Sequence, residues 1–164
     1  MFQRGLVARI VAWGIGGYVM LKDRWHGVLS IGLIGLAFVL GFVALLPYSS
    51  SIAFGYLLVL VLAVPVIVFS YCSKCLCRVY ACGHVFPGKL TLWLPERKSD
   101  AYGLADYTGV IVPLLLMVGI PQYWLWKHTY LFSAFWVLLA IAVAEIRAFV
   151  CKGCGNEHCP LLTK

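Results

Sequence analysis

The sequence predicts an all-α integral membrane protein: a four-helix transmembrane bundle built as two hairpins, with a cysteine-rich cytoplasmic loop and C-terminal tail. Three observations carry that prediction. Of 164 residues, 63% are hydrophobic and 12% charged, where soluble domains average roughly 25% charged. No Asp, Glu, Lys or Arg falls between Arg24 and Lys74, or between Asp106 and Lys127, and apolar runs of that length need lipid around them. The first run is divided by the short polar turn Pro47-Tyr-Ser-Ser-Ser51, and the second is joined by Lys127-His128-Thr129 to a further apolar run from Tyr130 to Phe149, so each half of the chain reads as a pair of spans.

Residues 1–26 form an N-terminal segment. Leu6 to Leu21 is apolar but only 16 residues long, with Arg9 inside it and Lys22, Asp23 and Arg24 closing it. A helix needs about 20 residues to cross the hydrocarbon, so this one is expected to lie on the membrane surface; a short fifth span is the alternative. The segment lacks an obvious cleavage site after its apolar part, which makes it a retained stretch rather than a signal peptide. Residues 27–71 form the first hairpin, with spans Gly27–Leu46 and Ile52–Tyr71. Pro65 predicts a kink in the second of these, and Gly32, Gly35 and Gly41 predict close helix packing in the first.

Residues 72–106 form the cysteine-rich loop, broken by Pro87-Gly88 and Pro95 and carrying the charge cluster Glu96-Arg-Lys-Ser-Asp100. Residues 107–149 form the second hairpin, with spans Tyr107–Trp126, interrupted by Pro113 and Pro121, and Tyr130–Phe149. Tyr123, Trp124, Trp126 and Tyr130 crowd its turn as an interfacial aromatic belt does. Residues 150–164 are the cysteine-rich tail.

Two hairpins put both cysteine clusters on one side of the bilayer. With the N-terminal segment on that side as well, twelve of the thirteen Lys and Arg residues join them and only Lys127 lies opposite. The positive-inside rule then places the clusters on the cytoplasmic face of a cell inner membrane. Thiols there stay reduced, so they read as metal-binding or redox-active groups rather than disulfides. The odd count of seven cysteines points the same way.

The two clusters carry the chemistry this argument expects. Cys72 and Cys75 form one C-x-x-C pair and Cys151 and Cys154 another, and the spacing between the pairs is 79 residues at both positions. That match suggests an internal repeat of hairpin and C-x-x-C. Two such pairs supply the four sulfurs of a tetrahedral zinc site, with Cys77, Cys82, Cys159, His84 and His158 as further candidate ligands. The expected function is therefore a jointly held metal site, zinc before iron–sulfur, that stabilises the assembly or docks a partner. An iron–sulfur cluster is the rival, since Cys159-Pro160 matches the end of ferredoxin runs although the complete spacing is absent. A membrane thiol or iron–sulfur oxidoreductase and a metal-ion transporter are the alternative functions. The plainer reading is that some of these cysteines are inert or palmitoylated.

The partners expected are the lipid bilayer and a cytoplasmic or membrane protein. Lys74, Arg78, Lys89, Arg97, Lys98, Arg147 and Lys152 make a basic face that suits anionic headgroups or an acidic partner. They are scattered and sit in no recognisable nucleic-acid-binding module, so no nucleic acid is expected. Asp106 is expected at a helix start, where exposed amides favour a carboxylate. Glu145 reads equally as a helix-pairing group or a support for the cysteine site. His26 and His128 read as interfacial residues at opposite ends. No Gly-rich phosphate loop, nucleophile elbow or His-Glu-x-x-His pattern is present.

Overall fold

The apolar runs do become helices. In the computed structural model, residues 25–75, 84–95, 97 and 101–151 are described. Four long helices stand at the expected places: α1 (Trp25–Leu45), α2 (Ser50–Tyr71), α4 (Leu104–Leu125) and α5 (Thr129–Glu145), with the short α3 (Val85–Leu90) between the second and third. A 22-residue helix such as α2 or α4 is about 33 Å long, enough for a hydrocarbon core of about 30 Å. Residues 1–24, which include the Leu6–Leu21 stretch expected to lie on the membrane, are outside the described residues, and Trp25 and His26 belong to α1.

Local chemistry sets the helix ends. Ser49 caps α2 by accepting the Ile52 N–H on its Oγ at 3.5 Å, which satisfies one of the donors a helix start leaves open. Beyond Tyr71, α2 tightens into a 3₁₀ turn, Cys72–Lys74. Pro65 and Pro113 lie within α2 and α4, and the helices continue past both; the remaining backbone bonds and the packing around each site tolerate the lost donor. α4 begins three residues before the expected span, because Gly103 and Asp106 form its cap. α5 ends in one turn of π-helix, Ile146–Val150, which no spacing in the sequence announces.

Among the described residues, the stretch expected as a cysteine-rich loop begins as an extension of α2. Cys72 and Cys75 belong to the turn that extends α2, and Cys75 donates its N–H to the Cys72 carbonyl at 3.1 Å. Downstream, α3 and a 3₁₀ turn, Thr91–Trp93, occupy a stretch read as irregular. Cys77 and Cys82 lie outside the described residues.

Contacts between distant residues fix which helix ends lie together. His26 at the start of α1 meets Glu145 at the end of α5 at 2.8 Å, and Lys74 after α2 meets Asp106 in the first turn of α4 at 2.7 Å. At the opposite end, Tyr48 between α1 and α2 meets His128 between α4 and α5 at 3.2 Å. The bundle therefore has one end that carries the Lys74–Asp106 and His26–Glu145 contacts and another that carries the Tyr48–His128 contact.

Between these ends the core is narrow. Ala37, Phe38, Ala63, Met117, Leu125 and Phe135 form its main cluster, and Leu45, Ala53 and Tyr56 a second. Between 11% and 33% of the most apolar stretch of each long helix is buried inside the protein. Large apolar side chains stand exposed along all four long helices, where a soluble monomer rarely shows a contiguous apolar patch larger than a few hundred Å². Together with four helices that satisfy their own backbone groups, this is consistent with a membrane-embedded protein.

Two glycines permit close approach. A Cβ on Gly41 would stand 3.2 Å from Tyr56 Oη and Pro121 Cβ, and one on Gly109 would overlap Ser70, lying 2.9 Å from its Cβ. Gly32 and Gly35 differ, with no neighbouring atom within 4 Å of an added Cβ. Among the described residues, the expected close helix packing is not seen at those two positions. Spacing alone does not say which face of α1 meets a neighbour.

Candidate functional site at the ion-paired end

The sequence pointed to thiols; the geometry points to a carboxylate. Asp106 sits in the first turn of α4 and is 3% exposed. Its Oδ2 accepts from Gly103 N–H at 2.9 Å, closing the helix cap, and from Lys74 Nζ at 2.7 Å. Arg97 Nη1 lies 2.8 Å from the other oxygen, Oδ1. The contact places a guanidinium directly against that oxygen. A carboxylate so deeply buried is expensive unless charge and hydrogen bonds compensate it, and here both do.

The partners come from three places in the chain, and the backbone explains how they meet. The 3₁₀ turn after α2 brings Lys74 over the start of α4. Arg97 N–H donates to the Ser73 carbonyl at 3.4 Å, which lays residue 97 back over the end of α2. The Arg97 guanidinium then stands 5.2 Å from the Phe69 ring centroid, a favourable arrangement for a cation. Tyr102 stacks on Tyr71 with centroids 4.5 Å apart and donates its hydroxyl to the Tyr71 carbonyl at 3.3 Å. Lys74 reaches the Ala101 carbonyl at 3.4 Å and lies 6.0 Å from the Tyr102 ring. Residues 97 and 101–103 are thus tied to the ends of α2 and α4 by hydrogen bonds, ring stacking and charge.

A second polar pair lies at the same end. His26 Nδ1 and Glu145 Oε2 are 2.8 Å apart, and the imidazole stacks on Phe149 with centroids 4.2 Å apart and planes within 9°. Phe149 belongs to the π turn, which sets its ring at the start of α1. The pair answers the question Glu145 raised: it joins helices rather than supporting a thiol site.

The expected metal centre is corrected by the same geometry. Among the described residues, no group of three or more His, Cys, Asp and Glu side chains is placed to hold a metal ion. Asp106 is engaged by Lys74 and Arg97, and Glu145 by His26. The expectation of a zinc or iron–sulfur site is overturned, and with it the oxidoreductase and metal-transporter alternatives that depended on those thiols. Of the nine candidate ligands, Cys72, Cys75, Cys151 and His84 are described and half-buried, whereas Cys77, Cys82, Cys154, His158 and Cys159 lie outside the described residues. Burial lowers the pKa of His84 from its usual value, and its Nδ1 has no hydrogen-bond partner among the described residues.

Sequence reasoning placed Asp106 at a helix start but missed what it gathers. The available signal was an acid at a helix start just after the charge cluster Glu96-Arg-Lys-Ser-Asp100. Compared with known proteins, the chain matches no family model, no curated protein and no solved structure.

Proposed function

We propose that the chain is a four-span integral membrane protein whose ion-paired end faces the cytoplasm and serves as a binding platform at the membrane surface. On this reading the helices anchor, and the segment between α2 and α4 is the working part, presented to a cytoplasmic or membrane partner. The observation that carries it is the buried Asp106 carboxylate, which draws Lys74 and Arg97 onto one point. A loop with no task beyond connecting two spans has little need of a buried ion cluster. Orientation rests on charge: Lys74, Arg97 and Arg147 lie toward this end, and Lys127 lies at the other, which is the bias of a cytoplasmic face.

Topology reporters test the reading. A fluorescent reporter fused after Lys164 is expected to fluoresce, and an alkaline phosphatase inserted after Lys127 is expected to be active. The reverse pattern would place the platform outside the cytoplasm. Recovery of the protein in the soluble fraction after alkaline extraction would remove the membrane reading altogether.

A further inference from the structure

Pro121 interrupts the hydrogen-bond ladder of α4. In a regular α-helix the N–H of residue 121 would donate to the carbonyl of residue 117, and proline has no N–H to give. Pro121 and Tyr56 are fully buried and Met117 is 5% exposed. A backbone carbonyl left unpaired in such surroundings costs about as much as a lost hydrogen bond.

The missing donor comes from another helix. Tyr56 of α2 donates its hydroxyl to the Met117 carbonyl at 2.8 Å, in a buried contact between residues 61 positions apart. α1 closes over the same point at Gly41, whose backbone comes so near that an added Cβ would stand 3.2 Å from both Tyr56 Oη and Pro121 Cβ. Three helices therefore meet around one carbonyl.

Beyond the interruption the chain is tied to α5. Gln122, the next residue after the proline, donates Nε2 to the Val118 carbonyl at 2.7 Å and accepts from Trp136 Nε1 at 3.1 Å. The turn that follows carries Lys127 and His128, which both meet Tyr48. A bend of α4 at this place would carry that turn and the start of α5 with it.

We propose that Tyr56 is the latch of a proline hinge in α4. With its hydroxyl on the Met117 carbonyl, the two parts of the helix stand as one rod; without it, α4 bends between Met117 and Pro121. Sharp kinks form where proline interrupts the ladder, and in a membrane helix a neighbour's side chain can re-satisfy the freed carbonyl. The proposal holds for either orientation of the protein in a bilayer.

Full-length protein in detergent, with ¹³C at its methionine carbonyls, provides the test in four versions: wild type, Tyr56→Phe, Pro121→Ala and the double substitution. The labelled carbonyls are those of Met1, Met20 and Met117. Tyr56→Phe is expected to move one of the three infrared bands to higher frequency, as a carbonyl that loses a hydrogen bond does. The same substitution in the Pro121→Ala protein should move none, because position 121 then supplies its own N–H. Hydrogen exchange reads the bend. The amides of Gly119, Ile120 and Gln122 should exchange about threefold faster in Tyr56→Phe than in wild type, the factor that an average polar contact between membrane helices provides. In the Pro121→Ala background Tyr56→Phe should leave those amides unchanged. Methionine bands unmoved by Tyr56→Phe would overturn the proposal. So would equal band shifts and equal acceleration in both backgrounds, which describe a helix contact unrelated to the proline. A moved band with unchanged exchange would overturn it as well, since the hydroxyl would then fill the ladder without holding a bend.

Discussion

The two ends of the bundle are held by different chemistry. At one, Lys74 and Arg97 converge on a carboxylate that is almost fully buried, and His26 reaches Glu145. At the other, Lys127 sits 5.0 Å from the ring of Tyr48 and 4.9 Å from that of Tyr123, with His128 near the Tyr48 hydroxyl. One end uses charge that is desolvated and compensated. The other uses a cation over ring faces beside exposed Trp126 and Tyr130, the composition of an interfacial belt. A short turn needs only anchoring, which aromatic rings give at small energetic risk. A segment as long as the one joining α2 to α4 needs a fixed point, and Asp106 provides it.

Breaking each end in turn should expose that difference. The largest effect is expected from Asp106→Ala, which strands Lys74 and Arg97; removing one member of a buried pair typically costs about 3–5 kcal/mol, readable as a lowered thermal midpoint in detergent. Gly109→Val should follow at about 1–3 kcal/mol through overlap with Ser70, and Ser70→Gly in the same chain should recover part of the loss. The rescue distinguishes a steric cause from a change in helix propensity. Gly35→Ala, on open surface, is expected to be neutral or to stabilise by up to about 1 kcal/mol. Tyr56→Phe, which removes the hydroxyl donated to the Met117 carbonyl at 2.8 Å, should cost about 0.6 kcal/mol, the average for polar contacts between membrane helices. The smallest loss belongs to the aromatic end: Lys127→Ala should cost about 0.5 kcal/mol, as an exposed cation–ring contact does. A Lys127→Ala loss equal to that of Asp106→Ala would erase the contrast between the ends.

The four long apolar helices were legible because crossing a hydrocarbon core would impose a one-dimensional requirement. Each needs an apolar run of fixed length, and Trp25–Leu45 through Thr129–Val150 meet it in the sequence itself. The helix start at Asp106 was legible for a similarly local reason, a carboxylate beside open amides. Its partners were not, because Lys74 and Arg97 lie 32 and 9 residues away and meet it only after α2 has tightened into its 3₁₀ turn. The same holds for His26 and Glu145, 119 residues apart. Cysteine spacing misled for the complementary reason: Cys72 and Cys75 share a turn, but a pattern of residue types does not state what the neighbouring acids already bind. Gly32 and Gly35 show the limit again, since small residues permit a close contact without specifying that one forms.

The central claim is that Asp106 holds the segment between α2 and α4 against the bundle, and hydrogen exchange tests it most directly. In the wild-type protein the amides of Arg97, donated to Ser73, and of Gly103, donated to Asp106, should exchange slowly. Asp106→Asn should speed exchange about tenfold or more across residues 97–106, the factor that corresponds to roughly 1.4 kcal/mol of lost local stability, and leave residues 45–50 and 126–130 unchanged. Equal exchange in the two proteins, or acceleration spread evenly over both ends, would contradict the account.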